Sequence, residues 1–198
     1  MKVFGIGLQR TGTTSLAKAL NILKIKTHQF PIELYHDIDH SIIQRFEGFT
    51  DNPIPLLYKQ LDKKYPNSKF IHTVRSEGEW IKSIQWLYTL GSKKFEWKNE
   101  QRKDVIREMH LKLYGTATFD EALFLQKYRA YNRDVTEYFA NRPADLLVLD
   151  LTQGDGFDKL CSFLGKGKPG APFPHRNKSE AFWKVAARRV VKKILRGS

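Results

Sequence analysis

The chain has 198 residues, 41% of them hydrophobic and 13% aromatic, which is enough for a sizeable core and needs no second domain beyond a single unit over 1–198. Its 34 Lys and Arg against 21 Asp and Glu leave a formal net charge of +13, a surplus that favours anionic partners and exceeds what one nucleotide requires. The single cysteine, Cys161, rules out an internal disulfide, and no apolar run approaches the roughly 20 residues of a membrane-spanning helix. With an apolar strand starting at residue 2 there is also no room for a signal peptide, so the expected setting is cytoplasmic.

In chain order the apolar pattern predicts strand 2–8, helix 13–24, a short strand near 26–29, helices 38–46 and 54–65, strand 69–74 and helix 77–89. Helices near 99–113 and 119–140, strand 145–150, helix 156–164 and helix 179–196 follow. Alternating strands and helices without internal repeats predict an α/β, three-layer fold: a small central parallel sheet flanked by helices. Ligands of open α/β sheets bind beyond the carboxyl ends of the strands. Arg10, Arg75 and Asp150 all fall there.

The first strand leads into Gly7-Leu8-Gln9-Arg10-Thr11-Gly12-Thr13-Thr14-Ser15, a turn that opens a helix. Backbone N–H groups of such a turn converge on one point, the helix N-terminus adds partial positive charge, and threonine hydroxyls complete an anion cradle. Counted from Gly7 the spacing is that of the P-loop, G-x-x-x-x-G-K-[ST], with Thr13 in place of the lysine that follows charge onto the β- and γ-phosphates of a nucleoside triphosphate. The one cation, Arg10, comes before the helix, where it suits a nucleotide with a single 5′-phosphate carrying a transferable group. Further along, Lys69-Phe70-Ile71-His72-Thr73-Val74-Arg75 reads as a buried strand ending in a cation, and Ser76 and Glu79 have the spacing of a capping box.

These segments resemble the sulfotransferase family. Its 5′-phosphosulfate loop carries a Lys or Arg, a small residue, Gly, and Thr/Ser pairs after the first strand. A strand-end Arg with a Ser eight positions on, here Arg75 and Ser83, holds the 3′-phosphate of 3′-phosphoadenosine 5′-phosphosulfate (PAPS). Phe173-Pro174-His175-Arg176-Asn177 looks like the cofactor-covering segment of a soluble subfamily, and the resemblance runs over roughly residues 2–182. It implies PAPS as donor and adenosine 3′,5′-bisphosphate as product. The implied cofactor-binding residues are Arg10, Thr11, Gly12, Thr13, Thr14, Ser15, Arg75, Ser83, His175, Arg176 and Asn177. By analogy with phosphoryl transfer, Arg10 is the expected stabiliser of charge on the leaving oxygen, and no metal is required.

Asp51, before Asn52-Pro53 and a helix, falls where related sulfotransferases put an acid or His facing the acceptor, so the resemblance makes it the candidate general base, with Asn52 expected to serve as the helix cap and His28 as the other candidate base. Steroid- and phenol-type relatives use a loop Lys and a His base, and neither is evident at the matching positions here. The acceptor is a small molecule, a glycan or a lipid headgroup, with no nucleic acid expected. Aromatic residues of 84–118, among them Trp86, Tyr88, Trp97, His110 and Tyr114, form the candidate acceptor wall. The C-terminal helix interleaves Trp183, Ala187, Val190, Val191 and Ile194 with cations, so it either packs on the domain or meets an anionic membrane or partner surface. Two other classes compete: a P-loop kinase or NTPase, with Asp150 as its Mg²⁺-holding acid, and a non-catalytic nucleotide- or polyanion-binding module.

Overall fold

A computed structural model describes residues 1–91 and 100–174. His175, Arg176, Asn177, Trp97 and the predicted C-terminal helix lie outside the described residues. Five parallel strands, β1 (Val3–Gly5), β2 (Thr27–Gln29), β3 (Gly48–Thr50), β4 (Lys69–Thr73) and β5 (Leu146–Leu149), form one sheet in the order β2-β3-β1-β4-β5. The α-helices are α1 (Thr13–Ile22), α2 (Ile42–Arg45), α3 (Ile54–Lys64), α4 (Glu77–Trp86), α5 (Glu100–Tyr114), α6 (Glu121–Tyr138) and α7 (Phe157–Leu164). This is the three-layer α/β arrangement that the sequence pattern predicts.

The layers follow from alternation along the strands, whose successive side chains point to opposite faces. Val3, Ile71 and Leu149 pack with Leu16 and Leu20 of α1 and Phe157 and Leu160 of α7. Phe4, Phe49 and Phe70 instead meet Leu57 and Leu61 of α3 and Val135 of α6. Both faces are covered, so β1 and β4 read as buried, largely apolar runs. A third cluster, including Leu8, Trp80, Ile84, Phe124 and Tyr128, joins α4 and α6 to the loop after β1.

The sequence pattern misses β3, whose three residues include one large apolar side chain, Phe49; its place is set by parallel pairing with β1, Val3↔Gly48 to Gly5↔Thr50. Consequently Arg75 follows the fourth strand, not the third. The predicted strand 2–8 shortens to Val3–Gly5, although Ile6 still donates its N–H to Ile71 O of β4 at 2.8 Å and Ile6 and Leu8 are buried. Helix 38–46 reduces to α2, preceded by a short 3₁₀ turn at Ile32–Tyr35. The connection from β1 runs to β2 on one side, and that from β3 passes β1 to reach β4 on the other, so the strand order reverses beside β1 and opens a crevice at its carboxyl end.

Candidate active site

The loop between β1 and α1 closes on itself through Thr11, which is 2% exposed. Its hydroxyl donates to Leu8 O at 2.6 Å and lies 2.7 Å from Thr73 Oγ1 at the end of β4. Thr11 thus locks the loop to the sheet with its side chain and contributes only backbone to the cradle. A Cβ at Gly7 would come within 1.9 Å of Thr73 Oγ1, so this first glycine is required by the closeness of the two strand ends. Gly12, at φ 112°, turns the chain into α1 as its N-cap residue.

No side chain caps α1 and no acidic residue lies in its own first turn; the carboxylate that approaches this end of the helix is Asp51, through Thr13. The first turn contains Thr13, Thr14 and Ser15, with Thr13 and Ser15 buried. Thr13 Oγ1 donates to Asp51 Oδ2 at 3.1 Å, and Thr14 Oγ1 accepts from Gln29 Nε2 at 2.7 Å, which leaves the Thr14 hydroxyl proton to be donated elsewhere.

Three left-handed residues follow neighbouring strands: Arg10 (φ 72°) in the loop after β1, and Phe30 (φ 61°) and Asp51 (φ 73°) directly after β2 and β3. Non-glycine residues in this region carry backbone strain of order 1–3 kcal/mol and cluster at functional sites. The strain aims Arg10 across the crevice. Its Nε donates to Ser83 Oγ at 2.8 Å, and its guanidinium lies over the Trp86 ring at 5.2 Å, so Ser83 and Trp86, three apart on α4, form its seat. Burial lowers the pKa of Arg10, the positive charge of Arg75 lowers it further, and Asp51 opposes both. The positive charge of Arg75 thus reaches Arg10, a repulsion that a bound anion would relieve.

Arg75 leaves β4 with both backbone polar groups on one hydroxyl: Tyr128 OH accepts from its N–H at 3.0 Å and donates to its carbonyl at 2.7 Å. Its side chain meets Glu79 at 3.3 Å. The capping box expected at Ser76 and Glu79 does not form. Ser76 occupies the N-cap position of α4 without a side-chain cap bond, and Glu79 is drawn to Arg75.

Asp51 lies beside the loop and is held by three donors: Thr13 Oγ1, Gln29 Nε2 at 3.2 Å and the backbone N–H of Asn52 at 3.0 Å. The expectation that Asn52 caps α3 is corrected. Pro53 is the N-cap residue, no side-chain cap bond is present, and Asn52 is buried at 1% exposure. Gln29 is the residue that sequence reasoning missed. Its amide nitrogen joins Thr14 to Asp51, whereas His28, on the opposite face of β2, stacks on Phe46 and lies 3.7 Å from Glu33.

The candidate acceptor wall divides. Tyr114 is fully buried and stacks on Phe124 at 4.5 Å, and Tyr88 and His110 pack at 5.2 Å in the same aromatic group, so much of the stripe is core. Burial pushes the His110 pKa down to about 4. Trp86 alone of the described stripe contacts a candidate catalytic side chain, Arg10. Asp150 closes its own turn, accepting from Thr152 N at 2.9 Å, Thr152 Oγ1 at 2.6 Å and Gln153 N at 3.3 Å. Those bonds make it the former of the turn after β5.

The family model described as "Sulfotransferase domain" matches residues 2–40 and 34–182. The chain is similar to the Ava biosynthesis cluster protein M of Aspergillus versicolor, with 23% identity over 231 aligned residues covering 93% of this chain and 86% of that protein. Among the described residues no helix is long and apolar enough to cross a membrane.

Proposed function

This chain belongs to the sulfotransferase-domain family, and from that we propose that it transfers a sulfuryl group from PAPS to a hydroxyl or amine of a small-molecule, glycan or lipid-headgroup acceptor. The observation that carries the proposal is Arg10 seated on Ser83 and within reach of the positive charge of Arg75, next to an α1 N-terminus that lacks a side-chain cap. Two cationic centres within electrostatic reach of one another fit a nucleotide with separate 5′ and 3′ anionic groups. The donor set is otherwise neutral, namely the first-turn N–H groups and the Thr14 hydroxyl, as suits phosphate oxygens.

The nucleotide supplies the activated sulfuryl group through its 5′-phosphate. Arg10, with the N–H groups at Gly12 and the Thr14 hydroxyl, stabilises charge on the departing phosphate oxygen. Arg75 and Ser83 hold the 3′-phosphate and so fix the reacting end in the crevice. Asp51, oriented by Gln29, Thr13 and Asn52, accepts the acceptor's proton.

Calorimetric titration with adenosine 3′,5′-bisphosphate and with ATP, each with and without Mg²⁺, tests the reading. Tight, metal-independent binding of the bisphosphate over ATP supports it. Mg²⁺-dependent preference for ATP transfers the chain to the kinase class, and failure to bind either nucleotide favours a polyanion-binding module.

A further inference from the structure

Two aromatic residues outside the phosphate-binding segments connect the backbones that bear Arg10 and Arg75. Trp80 of α4 and Tyr128 of α6 are 0% and 2% exposed, and their rings stack with centroids 4.1 Å apart and planes 23° apart. Each ring turns its polar atom toward a different arginine. Trp80 Nε1 donates to the carbonyl of Gln9, the residue before Arg10, at 3.1 Å. Tyr128 OH takes both backbone groups of Arg75, accepting at 3.0 Å and donating at 2.7 Å.

A buried stack resists compression and sliding, because the interior around it is close-packed. Phe124 contacts Trp80 at 6.3 Å and is itself stacked on Tyr114 at 4.5 Å, which backs the pair from one side. The arrangement has something to resist. Arg10 and Arg75 repel, and Arg10 sits in the strained left-handed region, so without a tie the Gln9–Arg10 peptide would be free to relax away from the crevice. Burial raises the pKa of the Tyr128 phenol, which keeps it protonated and able to donate to the Arg75 carbonyl.

We infer that the Trp80–Tyr128 pair is a specificity-determining brace: it fixes the separation of the two arginine-bearing backbones and thereby selects a nucleotide with both 5′ and 3′ anionic groups over one with a single phosphate. The inference rests on the nucleotide reading of the preceding section. Trp80 and Tyr128 are positioning residues, acting through Gln9–Arg10 and Arg75. The general consequence is that 3′-phosphate selectivity depends on a hydroxyl that touches backbone and not on the two side chains Arg75 and Ser83 alone.

The test is calorimetric binding of adenosine 3′,5′-bisphosphate and adenosine 5′-monophosphate to the full chain and to Tyr128→Phe, which keeps the stack and removes the hydroxyl. Bisphosphate affinity is expected to fall about tenfold or more, while monophosphate affinity changes by less than about twofold. In an Arg75→Ala background the same substitution is expected to leave bisphosphate affinity within about twofold, because the contact it acts through is gone. Trp80→Phe reads the brace from its other end: both nucleotides are expected to weaken, since both carry the 5′-phosphate that Arg10 meets, and the bisphosphate more, since the spacing to Arg75 is lost as well. Equal weakening of both nucleotides by Tyr128→Phe, or additive effects in the Arg75→Ala background, overturns the brace. So does a Trp80→Phe protein that binds both as the wild type does, a result that decides the matter even if Tyr128→Phe fails to fold. Equal wild-type affinity for the two nucleotides overturns the nucleotide reading and the brace with it, whereas a discriminating wild type with an equally discriminating Tyr128→Phe variant overturns the brace alone.

Discussion

Arg10 Nε donates to Ser83 Oγ at 2.8 Å, joining the loop after β1 to a helix 73 residues further along. The acceptor in this bond is a hydroxyl, so the Ser83 proton remains available to a phosphate oxygen while its lone pair holds the guanidinium. One serine thus couples nucleotide binding to the position of the proposed charge stabiliser. Ser83→Ala is expected to weaken adenosine 3′,5′-bisphosphate and to lower turnover together. Arg10→Ala separates the two, lowering turnover by about a hundredfold or more, as for loss of a donor aimed at developing charge, with a smaller effect on bisphosphate affinity. Comparing kcat and bisphosphate affinity across the two variants checks the coupling.

Gly7 is a structural requirement of the loop. A Cβ there would lie 2.5 Å from the backbone oxygen of Thr73 as well as 1.9 Å from its hydroxyl, and backbone cannot swing aside. Gly7→Ala is expected to destabilise the fold by about 2–3 kcal/mol through forced separation of β1 and β4, read as a lower midpoint in chemical denaturation. Gly78→Ala is the control, since nothing lies within 4 Å of a Cβ built there.

Stability is expected to fall in mild acid. His72 is 2% exposed, with Nε2 3.0 Å from Asn132 Oδ1, and burial lowers its pKa from 6.5 to about 4. Between these values the unfolded chain binds the proton and the folded chain does not, so stability rises with pH across the window and is lost as pH falls from 6.5 toward 4. The contribution is of order 3 kcal/mol at most for one histidine. Denaturant unfolding at a series of pH values is expected to show this limb in the wild type and a shallower one in His72→Gln, with His110 supplying the remainder.

How far the sequence could be read depended on whether a signal was local. β1 and β4 are buried on both faces and end at glycine-threonine or arginine signals, so their chemistry was visible from residue order alone. β3 was not visible, because three residues with one phenylalanine become a strand only by pairing with β1 and β2. The same gap hid Gln29. Choosing between His28 and Gln29 requires knowing which face of β2 turns toward the loop, and that follows from the register Gln29↔Thr50, a tertiary fact. The capping readings failed for a related reason: Glu79 had a stronger partner in Arg75 than a backbone N–H, and Asn52 was buried instead of turning to the helix.

The last prediction concerns Asp51 and Gln29 together. If Asp51 accepts the acceptor's proton, Asp51→Asn is expected to retain bisphosphate binding and to slow transfer to an alcohol by about 10²–10⁴-fold, with loss of the acidic limb of the pH profile. An acidic phenol, already ionised, needs no base and is expected to be largely spared. Gln29→Glu provides the complementary test, because it places a second carboxylate where the amide now lies 3.2 Å from Asp51 Oδ2. A like charge disfavours ionisation, so the limb assigned to Asp51 is expected to move to higher pH in Gln29→Glu while the limiting rate on the alkaline side changes less. Rate-versus-pH curves for wild type, Gln29→Glu and Asp51→Asn with both acceptors check this. An unmoved limb in Gln29→Glu, or equal slowing of alcohol and phenol in Asp51→Asn, would show that Asp51 orders the loop through Thr13 and does not take the proton.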